Sequence, residues 1–293
     1  MIPEESQGGA CWSEDAEDDD LDESAFTPEE LEEIHANRRT KIRKLGDIYE
    51  LMEVIGVGAF GVVIKAREKK TKRMLAFKIA KLNPNFDQSS SAQTQAALAL
   101  LREYKMLLTM EHSNIVKVFE SQHKFTNAVI MEMELGEQNL EDFVDRRKDK
   151  SKHKVNLTEE QVAQIMGGVF KALHYLHDDM NIIHRDLKPE NVLVCDRHDL
   201  SQVKLIDFGL AAKYSSSGVQ DFAKCGTLLY TPPEQISNTY AYNKKADMWA
   251  AGVLMFELLT GKHPLCKPGD TKEDMAEKLK NFKEFNYPSS MSP

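Results

Sequence analysis

Cysteine is scarce in this chain: Cys11, Cys195, Cys225 and Cys266 are the four in 293 residues. They lie far apart, and no pair has metal-knuckle spacing. This excludes a disulfide framework and a cysteine zinc site, and the thiols read as reduced, in the cytoplasm or nucleus. No run of 18 apolar residues occurs, so no membrane span is expected. The N-terminus lacks the basic-then-apolar order of a signal peptide. No EF-hand loop is present. The basic run Arg146 to Lys154 reads as a solvated loop, not a binding patch, and no nucleic-acid partner is expected. Positive charge is missing from residues 1 to 34, which hold fourteen Asp and Glu and no Lys or Arg. Arginine is missing after Arg197.

The acidic block is too poor in apolar residues to offset its ordering entropy, so residues 1–26 are expected to be disordered. A short helix follows in the pattern: Thr27 as N-cap, Pro28 at the first position, Glu30 closing a capping box, with Arg38, Arg39 and Lys41 toward its end. Residues 1–46 therefore read as a tail. The rest of the chain is net positive, and 41% hydrophobic residues are enough for a sizeable core.

Four stretches of that remainder carry chemistry. Gly56-Val57-Gly58-Ala59-Phe60-Gly61-Val62-Val63 is glycine-rich. Apolar residues flank it on both sides, so the pattern is strand-turn-strand, and glycines let backbone approach phosphate closely. Leu75-Ala76-Phe77-Lys78 sits on an apolar strand. The stretch Leu98 to Met110 is helical in pattern and carries Glu103, with Glu111 a rival partner for Lys78. An inserted polar loop, Asn83 to Gln95, is expected between strand and helix. Finally, His184-Arg185-Asp186-Leu187-Lys188-Pro189-Glu190-Asn191 is followed by Asp207-Phe208-Gly209. Together these offer a base, cations and metal ligands in one order.

In that order the motifs resemble the eukaryotic protein kinase superfamily, of the serine/threonine type and loosely of the calcium/calmodulin-dependent group. Gly226-Thr227 through Thr231-Pro232-Pro233-Glu234 is similar to the end of an activation segment, and Asp247-Met248-Trp249 to the start of the buried helix of the large lobe. The resemblance covers residues 47 to about 290. It implies an α+β, bilobal fold: a β-rich small lobe with one main helix at 47–133, and a mostly helical large lobe at 134–293. It implies that Asp186 is the base and Lys188 contacts the γ-phosphate. Asn191 and Asp207 would hold Mg2+, and Lys78 and Glu103 would form an ion pair. ATP would lie among Ile55, Gly56, Val57, Gly58, Ala59, Phe60, Gly61, Val62, Val63, Ala76, Lys78 and Leu193. Met131 would gate the adenine pocket, with backbone groups near Glu132 and Glu134 bonding the adenine edge. Asp247 would cap backbone amides of the catalytic loop.

The implied activity is transfer of the γ-phosphate of ATP to Ser or Thr of proteins or peptides. Glu190 and Glu257 would favour nearby Arg in the substrate. Oligomeric state is left unassigned. Two departures from the family pattern stand out. No arginine follows Glu234 to pair with it, so the chain reads as truncated in its large lobe, with a non-catalytic kinase-like scaffold as the alternative. If Glu234 is buried, its missing partner is costly. The usual activating hydroxyl is replaced by Ala223, which leaves Ser215, Ser216, Ser217 and Tyr214 nearby. Arg38-Arg39-Thr40 either enters the chain's own substrate groove or is a plain linker.

Overall fold

The structure is a computed structural model. It describes residues 46–57, 61–80, 91–119, 130–149, 154–155, 157–214, 226–236, 243–267 and 269–284. The expectations for the tail 1–45, including Thr40, and for Gly58, Ala59, Phe60, Ser215–Ser217 and Ala223 lie outside the described residues.

The first described layer is an antiparallel sheet of β1 (Tyr49–Val57), β2 (Gly61–Glu68), β3 (Met74–Ala80) and β4 (Ile130–Glu134), hydrogen-bonded in that order. The described ends of the glycine-rich stretch lie on β1 and β2, which pair antiparallel with Gly56 opposite Val63 and Val57 opposite Val62. The two flanking strands are those the apolar residues indicate. Gly61 has a steric reason: a Cβ there would stand 2.6 Å from the Ile79 carbonyl oxygen of β3. Helix α1 (Ser91–Leu108) packs on β3 and β4 through Leu98, Leu101 and Leu107, all buried. It begins earlier than the sequence suggests. Ser91 to Gln95 belong to the helix and not to an inserted loop, because Ala96 to Leu100 continue an uninterrupted run of helix formers.

The second part is mostly helical. In chain order it comprises β5 (Gln138–Asn139), α2 (Leu140–Asp145), β6 (Lys148–Asp149), β7 (Lys154–Val155) and α3 (Glu159–His174). These are followed by β8 (Ile182–Ile183), β9 (Val192–Val194), β10 (Val203–Leu205), β11 (Ala212–Lys213), α4 (Pro233–Ile236), α5 (Lys244–Thr260) and α6 (Lys272–Lys280). The α3 start is a capping box: Thr158 accepts from the Gln161 N–H and Gln161 reaches back to the Thr158 N–H. Its buried stripe, Val162, Ile165, Met166, Val169 and Leu173, faces α5 and β10. Helix α5 lays Ala246, Ala250, Ala251 and Leu254 in the core. It stops at Gly261, whose φ of 72° suits a residue without a Cβ clash.

Two further expectations are corrected. The basic run Arg146 to Lys154 is not plain loop: β6 and β7 pair antiparallel at its two ends. Glu234 is half-buried, not buried, so the large penalty of an unpaired interior charge does not apply. The whole is an α+β fold whose helical part and sheet share one continuous apolar core.

Candidate active site

The catalytic geometry is built on Asp247. This residue, on the first turn of α5, is 1% exposed. Its Oδ2 accepts the His184 N–H at 2.9 Å and its Oδ1 accepts the Arg185 N–H at 2.9 Å. His177 Nε2 pairs with Oδ2 at 2.8 Å. Those bonds hold the chain at Arg185 in the left-handed region, with φ 68°. A non-glycine residue stays there only when its surroundings compel it. The next residue is Asp186.

Asp186 is gripped from three sides. Thr227 Oγ1–H donates to its Oδ1 at 2.8 Å, and Asn191 Nδ2 donates to its Oδ2 at 2.9 Å and to its backbone carbonyl at 2.8 Å. Lys188 Nζ lies 3.1 Å from Oδ2 and donates to Thr227 Oγ1 at 2.9 Å. Gly226 is needed for this junction: its φ is 99°, and a Cβ would stand 2.6 Å from the Arg185 carbonyl. The result is a carboxylate with fixed orientation and an ammonium beside it.

A second cluster joins the sheet to the helical part. Lys78 Nζ donates to Glu103 at 2.9 and 2.7 Å and to Asp207 Oδ1 at 2.8 Å. Glu103, not the exposed Glu111, is the partner on α1. Glu103 Oε1 also accepts the Phe208 N–H at 3.1 Å. Burial alone would lower the Lys78 ammonium, but Asp207 and then Glu103 outweigh it and hold it well above its ordinary value. Burial pushes the Glu103 carboxyl up, against Lys78. At Asp207 burial also pushes up, but the Lys78 charge and hydrogen bond win, and the carboxyl is held below its usual range. Phe208 is buried against His184, ring centroids 4.9 Å apart. The Ile206 N–H donates to the Asn191 carbonyl at 3.0 Å, which brings Asn191 beside Asp207.

Val63 and Ala76 lie on β2 and β3 of the sheet, and Leu193 lies on β9 of the helical part. Gly136 closes on Leu193: a Cβ there would stand 2.4 Å from its side chain. Part of the backbone expected to face an adenine edge is already paired. The Glu132 carbonyl accepts from the Phe119 N–H and the Glu134 N–H donates to the Lys117 carbonyl, both at 2.9 Å. Strand pairing thus continues through Glu134, and that N–H is not available to an adenine edge. The Glu132 side chain is also committed, accepting from the Tyr49 hydroxyl at 3.0 Å and Arg73 at 2.7 Å. The first free-running backbone is at Leu135 and Gly136. Met133, opposite Ala76, is nearer the link than Met131, which is opposite Lys78 and 1% exposed. Gly136 was the missed signal, a chain breaker two residues beyond the strand.

Comparison with known proteins fits this geometry. The model of the protein kinase domain matches residues 49–292. Cyclin-dependent kinase G1 of Arabidopsis thaliana is 34% identical over 261 residues, 88% of this chain and 39% of that protein. A probable myosin light chain kinase of Dictyostelium discoideum is 37% identical over 75% of this chain and 65% of its own length. Myosin light chain kinase A of the same organism is 32% identical, over 82% and 74%. The chain belongs to the protein kinase domain family. It spans about two fifths and two thirds of the first two relatives.

That family implies Mg-ATP, and the residues fit it. Asp207 keeps a side chain 42% exposed while Lys78 holds one oxygen. Asn191 spends its amide N–H groups on Asp186, which leaves its Oδ1 outside those bonds. Among the described residues no group of three or more His, Cys, Asp and Glu could hold a metal alone. Two oxygen donors suit Mg2+ whose shell is completed by phosphates and water.

Proposed function

We propose that this chain is a serine/threonine protein kinase. The observation that carries the reading is the Asp186 cluster: a carboxylate held by Thr227 and Asn191, with Lys188 within 3.1 Å. Asp186 accepts the proton of a short acceptor hydroxyl, while Lys188 stands where negative charge grows on the transferred phosphoryl group. Thr227 fixes the acid's rotamer, and Asn191 fixes it from the opposite oxygen. Lys78, kept protonated by Glu103 and Asp207, anchors the nucleotide phosphates. Mg2+ at Asn191 and Asp207 would neutralise phosphate charge when bound. Positioning of this kind supplies most of phosphoryl-transfer catalysis.

A basic sequence context for the acceptor is part of the reading. Tyr230 donates to Glu257 Oε2 at 2.6 Å. Burial first, then Glu257, Glu190 and Glu141, push the Tyr230 hydroxyl far above its ordinary value. Negative potential gathers on the peptide side of Asp186, which favours arginine in the substrate. The test is phosphate transfer from Mg-ATP to a serine peptide with and without arginines. Transfer to the arginine peptide, weakened in Glu190→Gln and Glu257→Gln, is expected. No transfer to either peptide overturns the reading, and equal transfer to both removes the arginine preference.

A further inference from the structure

His263 lies in the link after α5, outside every motif named above. Both its ring nitrogens have assigned work. Nε2 lies 2.8 Å from the Leu229 carbonyl, which can only accept, so Nε2 carries the proton. Nδ1 accepts the Cys266 N–H at 2.9 Å and the Leu265 N–H at 3.2 Å. The ring is therefore neutral, in one tautomer. A proton on Nδ1 would set an N–H against two backbone N–H groups and break the arrangement.

Leu229 sits in the loop that leaves the base. Thr227 at the loop's start holds Asp186, and Thr231 at its end donates back to the Thr227 carbonyl at 3.1 Å. Tyr230 is fixed by Glu257 and meets the His263 ring edge-on, centroids 6.5 Å apart. The middle of the loop is thus held by His263 from one side and α5 from the other.

We propose that His263 is a positioning residue for the protein substrate. As the neutral Nε2–H tautomer it keeps the Thr227–Thr231 loop in the shape that receives the acceptor peptide, so peptide capture weakens as pH falls while nucleotide binding does not. This rests on the kinase reading above. Tyr230 meets the His263 ring and is bonded in turn to Glu257 on α5; Asp270, paired with Lys278 on α6, acts on the ring from beyond the link, and the Cys266 N–H donates to it. Burial lowers the imidazole below its ordinary value; the Leu229 bond and Asp270 oppose it without reversing it. The neutral form is therefore the resting one at neutral pH. As pH falls through that lowered value, Nδ1 gains a proton and loses the bonds it accepts from Cys266 and Leu265, so the ring is no longer seated against the Leu229 carbonyl.

The test is steady-state kinetics with a serine peptide from about pH 5.5 to 8, the span in which imidazoles titrate. His263→Ala should raise the peptide KM about 3- to 10-fold, the worth of one hydrogen bond, with ATP KM unchanged. His263→Gln retains a donor for Leu229 and does not titrate. It should keep the neutral-pH peptide KM and flatten its rise toward acid. An unchanged peptide KM in His263→Ala overturns the proposal. So does a parent-like acid rise in His263→Gln, which decides the matter even if the alanine variant fails to fold. A parent that phosphorylates no peptide sinks the kinase reading instead, so the two failures are distinct.

Discussion

Replacing Asp247 by asparagine removes one charge and almost no volume. The side chain is 1% exposed and its carboxylate serves His184, Arg185 and His177 at 2.8 to 2.9 Å. Hydrogen bonds to a charged acceptor are worth about 1.5–3 kcal/mol each. Asparagine supplies one acceptor oxygen and, at the other site, an NH2 facing a backbone N–H. At least one buried donor is left unpaired. The expected loss is about 3–5 kcal/mol, the range for breaking a buried charged network. That is a large part of the roughly 5–15 kcal/mol a domain has in total. Turnover should fall further than stability alone explains, because Arg185 would no longer be held at positive φ and Asp186 would lose its orientation. Guanidinium unfolding measures the first effect, and peptide kinetics under folded conditions the second. A loss below about 1 kcal/mol, the size of an ordinary substitution, would refute this account of Asp247.

Lys78→Met leaves Glu103 buried with Asp207 close by and no cation. Its raised pKa should rise further, so the folded state binds a proton the unfolded chain does not. Stability is then present below the unfolded carboxylate pKa and lost as pH rises; a melting temperature that climbs from pH 5 to 8 would contradict this. Gly226→Ala forces a φ of 99° on a residue with a Cβ and drives that atom to 2.6 Å from the Arg185 carbonyl. It should cost about 2 kcal/mol or more and most of the turnover, checked by unfolding and kcat. Met131→Ala should lower stability by about 2–5 kcal/mol with little change in ATP KM. Met133→Ala should alter ATP KM more than stability; the reverse pattern would place the gate at Met131.

Much of this was legible in the chain because short-range chemistry fixes it. Asp186, Lys188, Asn191 and Asp207 lie on one stretch of some twenty residues, and the roles expected of them come from the resemblance to protein kinases that this stretch carries. Glu103 was readable because the helix period puts it on the face of Leu100 and Leu107. The hinge was less legible. Whether Glu134 ends a strand depends on whether Lys117, seventeen residues upstream, pairs with it, and no local pattern states that. The α1 start failed for a related reason: Ser91 to Gln95 are mostly polar, and polarity alone does not separate loop from helix. His263 was invisible because its work consists of bonds to Leu229, thirty-four residues away, and to backbone N–H groups that any sequence possesses.

The central claim is that Asp186 acts on the acceptor hydroxyl while Lys78 and the Asn191–Asp207 pair serve the nucleotide. The most direct measurement is Asp186→Asn, with phosphate transfer to a serine peptide and Mg-ATP affinity measured on the same preparation. The account predicts transfer reduced by at least about 100-fold, the scale of a lost general base, with nucleotide affinity within a factor of about three of the parent. Parent-like transfer by Asp186→Asn, or a collapse of nucleotide affinity alongside the lost transfer, would contradict it.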